Sequence, residues 1–81
     1  MHSKIYKTLN PIFQDILDEP SLVIHKDLSA NDVANWDSLN HITLIVEIEA
    51  LTGITFSVDD LIDMANVGDF VAFLYDKGYR G

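Results

Sequence analysis

Ser38 follows an aspartate and opens the most apolar stretch of the chain, Trp36-Asp37-Ser38-Leu39-Asn40-His41-Ile42-Thr43-Leu44-Ile45-Val46-Glu47. An Asp-Ser pair ahead of an apolar run is a favourable helix start, with Asp37 as N-cap. The unpaired N–H groups and the dipole of such a start favour an anion, by about 0.3–1 kcal/mol at an exposed site. A serine there can carry a phosphodiester, or it can do no more than begin the helix. A hydrolytic triad of Asp37, Ser38 and His41 is the third reading, and it is weak. A serine nucleophile needs a base within reach, a third group to orient that base, and an oxyanion site. His41 lies three residues on along the same helix, Asp37 is already used as the cap, and no Gly-x-Ser-x-Gly elbow is present. The chain reads as a protein that is not an enzyme.

The elements that must position Ser38 follow from apolar spacing. Ile5, Leu9, Ile12, Phe13, Ile16 and Leu17 step at helical intervals, so a first helix lies within Ser3 to Asp18. Pro11 leaves two readings: Asn10 caps a helix that begins at Pro11, or one longer helix is kinked there, which the continuous stripe favours. Glu19 to Trp36 reads as a long loop, stopped by Pro20 and pinned to the core by Leu22, Val23, Ile24 and Leu28. Trp36 reads as a plug that fixes the end of this loop. A second helix runs from about Ser38 to Thr52 and stops at Gly53. Ile54 and Phe56 form an extended tether, and Ser57-Val58-Asp59-Asp60 fits a capping box for a short third helix through Met64. Asn66 caps a last helix carrying Val67, Phe70, Val71, Phe73 and Leu74, and Gly78 ends it. The expected fold is all-α, one domain over residues 1–81: three longer helices, one short helix and a long first loop.

At about 100° per residue, Ile42, Leu44, Ile45, Ile48 and Leu51 cover one broad arc of the second helix, the expected core face, with His41 inside it. The opposite arc holds Asn40, Thr43 and Glu47, flanked by Leu39 and Val46. Apolar residues beside a polar strip are unusual on a solitary surface helix, so Leu39, Asn40, Thr43, Val46 and Glu47 form a candidate partner face next to Ser38.

Thirteen acidic against five basic residues give a formal charge of −8 in 81 residues. Nucleic-acid binding is excluded, because neutralising phosphates needs clustered Lys and Arg. Basic protein partners are favoured instead, with charge steering the encounter. Apolar runs of only a few residues cannot span a membrane, and no signal-peptide segment opens the chain, so a cytoplasmic monomer is expected. Without cysteine there is no disulfide framework and no thiolate zinc site. His2, His25 and His41 match no metal spacing, and Asp59, Asp60 and Asp63 lack the glycine and glutamate of a calcium loop, so no metal site is expected.

The Asp37-Ser38-Leu39 motif and the helix that follows resemble the attachment site of acyl carrier proteins, over roughly Val33 to Leu74. The resemblance implies that Ser38 bears a covalent 4′-phosphopantetheine arm taken from coenzyme A, with Asp37 as motif residue and cap. An acyl or aminoacyl intermediate would ride on it as a thioester, the arm supplying the only thiol. Implied partners are a phosphopantetheinyl transferase and the loading and transfer enzymes of fatty acid, polyketide or other secondary metabolism, meeting the carrier through basic docking surfaces. This chain departs from the fatty-acid pattern. Asn40 and Thr43 stand where acidic residues are usual, Asn35 replaces a glycine and can also adopt a left-handed backbone, and Trp36 replaces a smaller residue. The departures point to a specialised, free-standing carrier. The alternative from another class is an acidic helical adaptor with no prosthetic group, docking on a basic partner.

Overall fold

Four α-helices carry the chain: α1 (Ser3–Ile16), α2 (Ser38–Thr52), α3 (Val58–Ile62) and α4 (Val67–Asp76), with a 3₁₀ turn at Ala30–Asp32 inside the long first connection. This computed structural model describes residues 2–81, and among them no strand occurs. Capping decides most boundaries. The Asp37 carboxylate accepts the Asn40 N–H at 2.8 Å and starts α2, and Gly53, at φ 73°, stops it by donating its N–H to the Glu49 carbonyl. The Ser57–Asp60 capping box starts α3 as expected. That helix stops at Ile62, not at Met64. The start of α4 takes over there: Asn66 accepts the Asp69 N–H at 3.0 Å, and the Asp69 carboxylate accepts the Ala65 N–H at 2.8 Å.

Pro11 lies inside α1, which runs through it without a break. Asn10 is therefore not a cap. Its side chain faces the long connection, donating to the Leu22 carbonyl at 3.1 Å and accepting the Ile24 N–H at 2.7 Å. Gln14 donates to the same carbonyl at 2.8 Å. These bonds turn Leu22 and Ile24 toward the bundle, so Val23 between them turns out and is exposed, contrary to its expected place in the core.

The core joins Ile5, Leu9, Phe13 and Leu17 near or on α1 to Leu44, Ile45 and Ile48 of α2 and to Val67, Phe70, Val71 and Leu74 of α4. Ile24, Leu28, Val33, Trp36 and Phe56 enter it from the connections. The buried arc of α2 is narrower than the sequence suggests: Ile42 is 60% exposed and Leu51 47%. Both stand at the margins of the arc, and the rest of so small a bundle covers only its centre. The first connection also meets α4 through the backbone. Val67 N–H donates to the Leu28 carbonyl and Gly68 N–H to the Lys26 carbonyl, each at 2.9 Å. A β-carbon at position 68 would lie 2.8 Å from the Lys26 oxygen, so glycine is needed for the close approach.

Candidate functional site

Ser38 is the first residue of α2, exposed, and its hydroxyl makes no hydrogen bond among the described residues. Asp37 holds this end of the helix through the Asn40 N–H, and its carbonyl accepts the His41 N–H at 2.8 Å. The N–H groups of Ser38 and Leu39 have no acceptor among the described residues, so the first turn offers two free donors beside the hydroxyl. A phosphodiester on Ser38 fits this environment.

The turn before Ser38 is fixed from several sides. Asn35 donates its side-chain N–H to the Leu17 carbonyl at 2.8 Å, while its own carbonyl accepts from Asp37 N–H at 3.0 Å and from the Asn40 side chain at 2.7 Å. Its φ is not positive, so the left-handed turn expected there is absent; the side chain, not backbone freedom, explains asparagine. Trp36 is buried and packs edge-on against Phe13, ring centres 5.6 Å apart. Its indole N–H donates to His41 Nδ1 at 3.1 Å. Trp36 is the plug the sequence suggests, and His41 is hydrogen-bonded within the domain. An open, mostly apolar groove of about 510 Å³ runs beside the serine, lined by Ala30, Trp36, Asp37, Ser38, His41 and Ile42.

The expected partner face divides. Leu39, 72% exposed, and Val46, 54% exposed, share a strip of α2 with Ile42. Thr43 and Glu47 instead line a separate groove of about 560 Å³ with Pro11, Ile12, Asp15 and Ile16 of α1. Asn40 is engaged in holding the Asn35 turn. Sequence reasoning left out Ile42, which follows Ser38 by one helical turn, and also Val58 and Ile62, both 74% exposed on α3. The i, i+4 spacing of each pair was the available signal.

A family model described as the phosphopantetheine attachment site matches residues 7–74. This chain belongs to that family. It is similar to the holo acyl carrier protein from Geobacter metallireducens, known from a solution NMR structure, with 39% identity over 89% of this chain and 83% of that one and a TM-score of 0.84. No curated protein matches the sequence at a significant level. As a member of the acyl carrier family the chain takes a covalent 4′-phosphopantetheine and acts as a carrier, not an enzyme. Its all-helical fold is the acyl carrier fold. Its family works with transferases and biosynthetic enzymes, and among the described residues no helix is long and apolar enough to cross a membrane.

Proposed function

We propose that Ser38 is the attachment residue and that residues 1–81 form one carrier domain, acting as a monomer in the cytoplasm. The carrying observation is the exposed Ser38 hydroxyl at the start of α2, unbonded among the described residues, with two free N–H groups beside it. Asp37 sets the helix start, Trp36 and Asn35 hold the preceding turn, and Asn40 locks that turn to α2. The arm, when attached, supplies the thiol that holds an acyl or aminoacyl group as a thioester. Ser38 itself only anchors it.

Partner enzymes meet the molecule over Leu39, Asn40, Thr43, Val46 and Glu47, together with Ile42. Leu39, Ile42 and Val46 give an apolar strip beginning next to Ser38. Asp15 and Glu47 place two carboxylates on the neighbouring groove, which suits a basic side chain from the phosphopantetheinyl transferase or a transfer enzyme.

Intact-mass spectrometry after incubation with coenzyme A and a phosphopantetheinyl transferase tests the attachment. The wild type gains one phosphopantetheinyl group, and Ser38→Ala gains none while keeping its helix content. Modification mapped to Ser3, Ser21, Ser29 or Ser57 would overturn the assignment.

A further inference from the structure

Basic side chains are scarce in this chain, and their placement is uneven. Of the five Lys and Arg residues, Lys77 and Arg80 lie over the rings of Phe73 and Tyr75, 5.4 and 4.0 Å from their centres. The others are Lys4 and Lys7, exposed one turn apart on α1, and Lys26, exposed on the first connection. Lys7 and Lys26 line one groove of about 430 Å³ with Ser3, Tyr6, Ile24 and His25. An adjoining groove of about 270 Å³ shares Tyr6, Lys7 and Ile24 and adds Asn10, Pro11 and Val23. Thirteen acidic residues are distributed over the chain, yet none lines either groove. Asp27 and Asp69 line a separate groove that shares only Tyr6 and Lys26 with the first.

The surface is preformed. Ser3, Tyr6, Lys7 and Asn10 follow at helical intervals and make one face of α1. Asn10 fixes the facing segment through the Leu22 carbonyl and the Ile24 N–H. Ile24 is buried, so Val23, 73% exposed, and exposed His25 turn outward on either side of it. Cations therefore flank an apolar side chain that the domain does not cover.

We propose that these two grooves dock an acidic segment of a partner protein, its carboxylates on Lys7 and Lys26 and an apolar side chain against Val23 and Tyr6. Most of a chain with formal charge −8 repels such a segment, so a local basic patch decides where it lands. An anionic membrane is a poorer match, because a broad charged plane also meets the acidic surface around the patch. The fixed backbone under Val23 and Ile24 keeps the ordering cost of docking small. None of these residues belongs to the Ser38 turn or to the apolar strip of α2. Tyr6 stands roughly 16 Å before Leu17, at 1.5 Å per helical residue, and the Leu17 carbonyl is where Asn35 is tied. An acidic tether and a basic enzyme thus occupy different parts of the molecule, and the proposal does not depend on which serine bears the arm.

Titration of the ¹⁵N-labelled protein with the capped peptide Glu-Glu-Leu-Glu-Glu tests this by NMR. Amide shifts should move at Tyr6, Lys7, Val23, Ile24, His25 and Lys26, and should fade as salt brings the screening length below about 10 Å. The peptide Gln-Gln-Leu-Gln-Gln should leave them in place. Lys7→Glu with Lys26→Glu should lower the affinity about tenfold, the sum of two lost attractions and two gained repulsions between exposed charges. Val23→Ser should weaken binding less. Both variants alter exposed side chains, and an unchanged helical circular dichroism spectrum verifies their fold. Absent shifts, shifts centred on α2, or an affinity indifferent to the double charge reversal would overturn the proposal. Binding to phosphatidylglycerol vesicles without binding to the peptide would replace the protein segment with a membrane surface. Shifts at the same residues that grow with protein concentration alone would replace it with the acidic surface of a second copy.

Discussion

The connection between α1 and α2 is held by bonds that reach far along the chain, whereas the one between α2 and α4 is held mostly by its own neighbours. In the first, Asn10, Gln14 and Asn35 bridge to backbone groups 8 to 18 residues away. Ile24, Leu28, Val33 and Trp36 bury their side chains from it. In the second, the Ser57–Asp60 and Asn66–Asp69 caps are local, and Val58 and Ile62 face solvent. Phe56 is its main anchor, buried and with its N–H on the Glu49 carboxylate at 2.7 Å. The difference teaches where rigidity is placed. The segment that delivers Ser38 is fixed by tertiary contacts, and the segment carrying exposed apolar residues is free of most of them.

The comparison predicts a descending series of effects. Trp36→Ala should be the most damaging, because truncating a buried aromatic costs about 3–5 kcal/mol. Chemical denaturation should show that loss, and modification of Ser38 should slow because its turn is no longer fixed. A near-wild-type midpoint would remove Trp36 as the anchor.

Asn10→Ala should come next. It leaves the Ile24 N–H without its acceptor, a loss of about 1–3 kcal/mol for an unsatisfied group. The same measurement reads it, and hydrogen exchange at Ile24 should accelerate. If Asn10→Ala matched wild type, the first connection would owe its order to apolar burial alone.

In the second connection, Val58→Ser and Ile62→Ser should each change stability by no more than about 0.5 kcal/mol, the usual range for exposed positions. A larger loss would mean that α3 packs more firmly than its exposure indicates.

The smallest effect concerns acid. Asp60 is held below its ordinary carboxylate value, first by the Ser57 backbone N–H and then by the Ser57 hydroxyl. A lowered carboxylate stabilises the folded cap above its unfolded value and loses that contribution as pH falls through the folded one. The Ser57 and Asp60 amide signals should therefore titrate together, at a midpoint below that of an ordinary aspartate. A midpoint at or above the ordinary value would exclude the capping box in solution.

What could be read from the sequence divides along the same line. Asp37, Gly53, Ser57 and Asn66 act on their own neighbourhoods, so the start and stop of α2 and the starts of α3 and α4 were legible. The role of Asn10 was not, because its partners lie 12 and 14 residues away, and that hid the answer to Pro11. Asn35 invited a backbone explanation when its side chain had a distant use. At the candidate site, the cap by Asp37 and the helix start at Ser38 were evident from local signals. Ile42 was misplaced, because an angular plot of one helix does not say how much of its arc the neighbours cover. The His41–Trp36 bond needed both the loop and the helix in place.

The junction between the first connection and α4 bears on the order in which the fold is completed. Val67 with Leu28 and Gly68 with Lys26 pair backbone groups about forty residues apart. Closing so long a loop costs entropy before any contact repays it, so such pairings form late. The polypeptide emerges from its N-terminus, and a nascent chain lacking α4 has neither bond. The turn that delivers Ser38 is then braced from α1 and from the first turns of α2, while the connection before it lacks its pairing to α4. Complete bracing of the first connection therefore coincides with docking of the last helix, so the segment before Ser38 reaches its final order only when a helix far beyond it in sequence has packed.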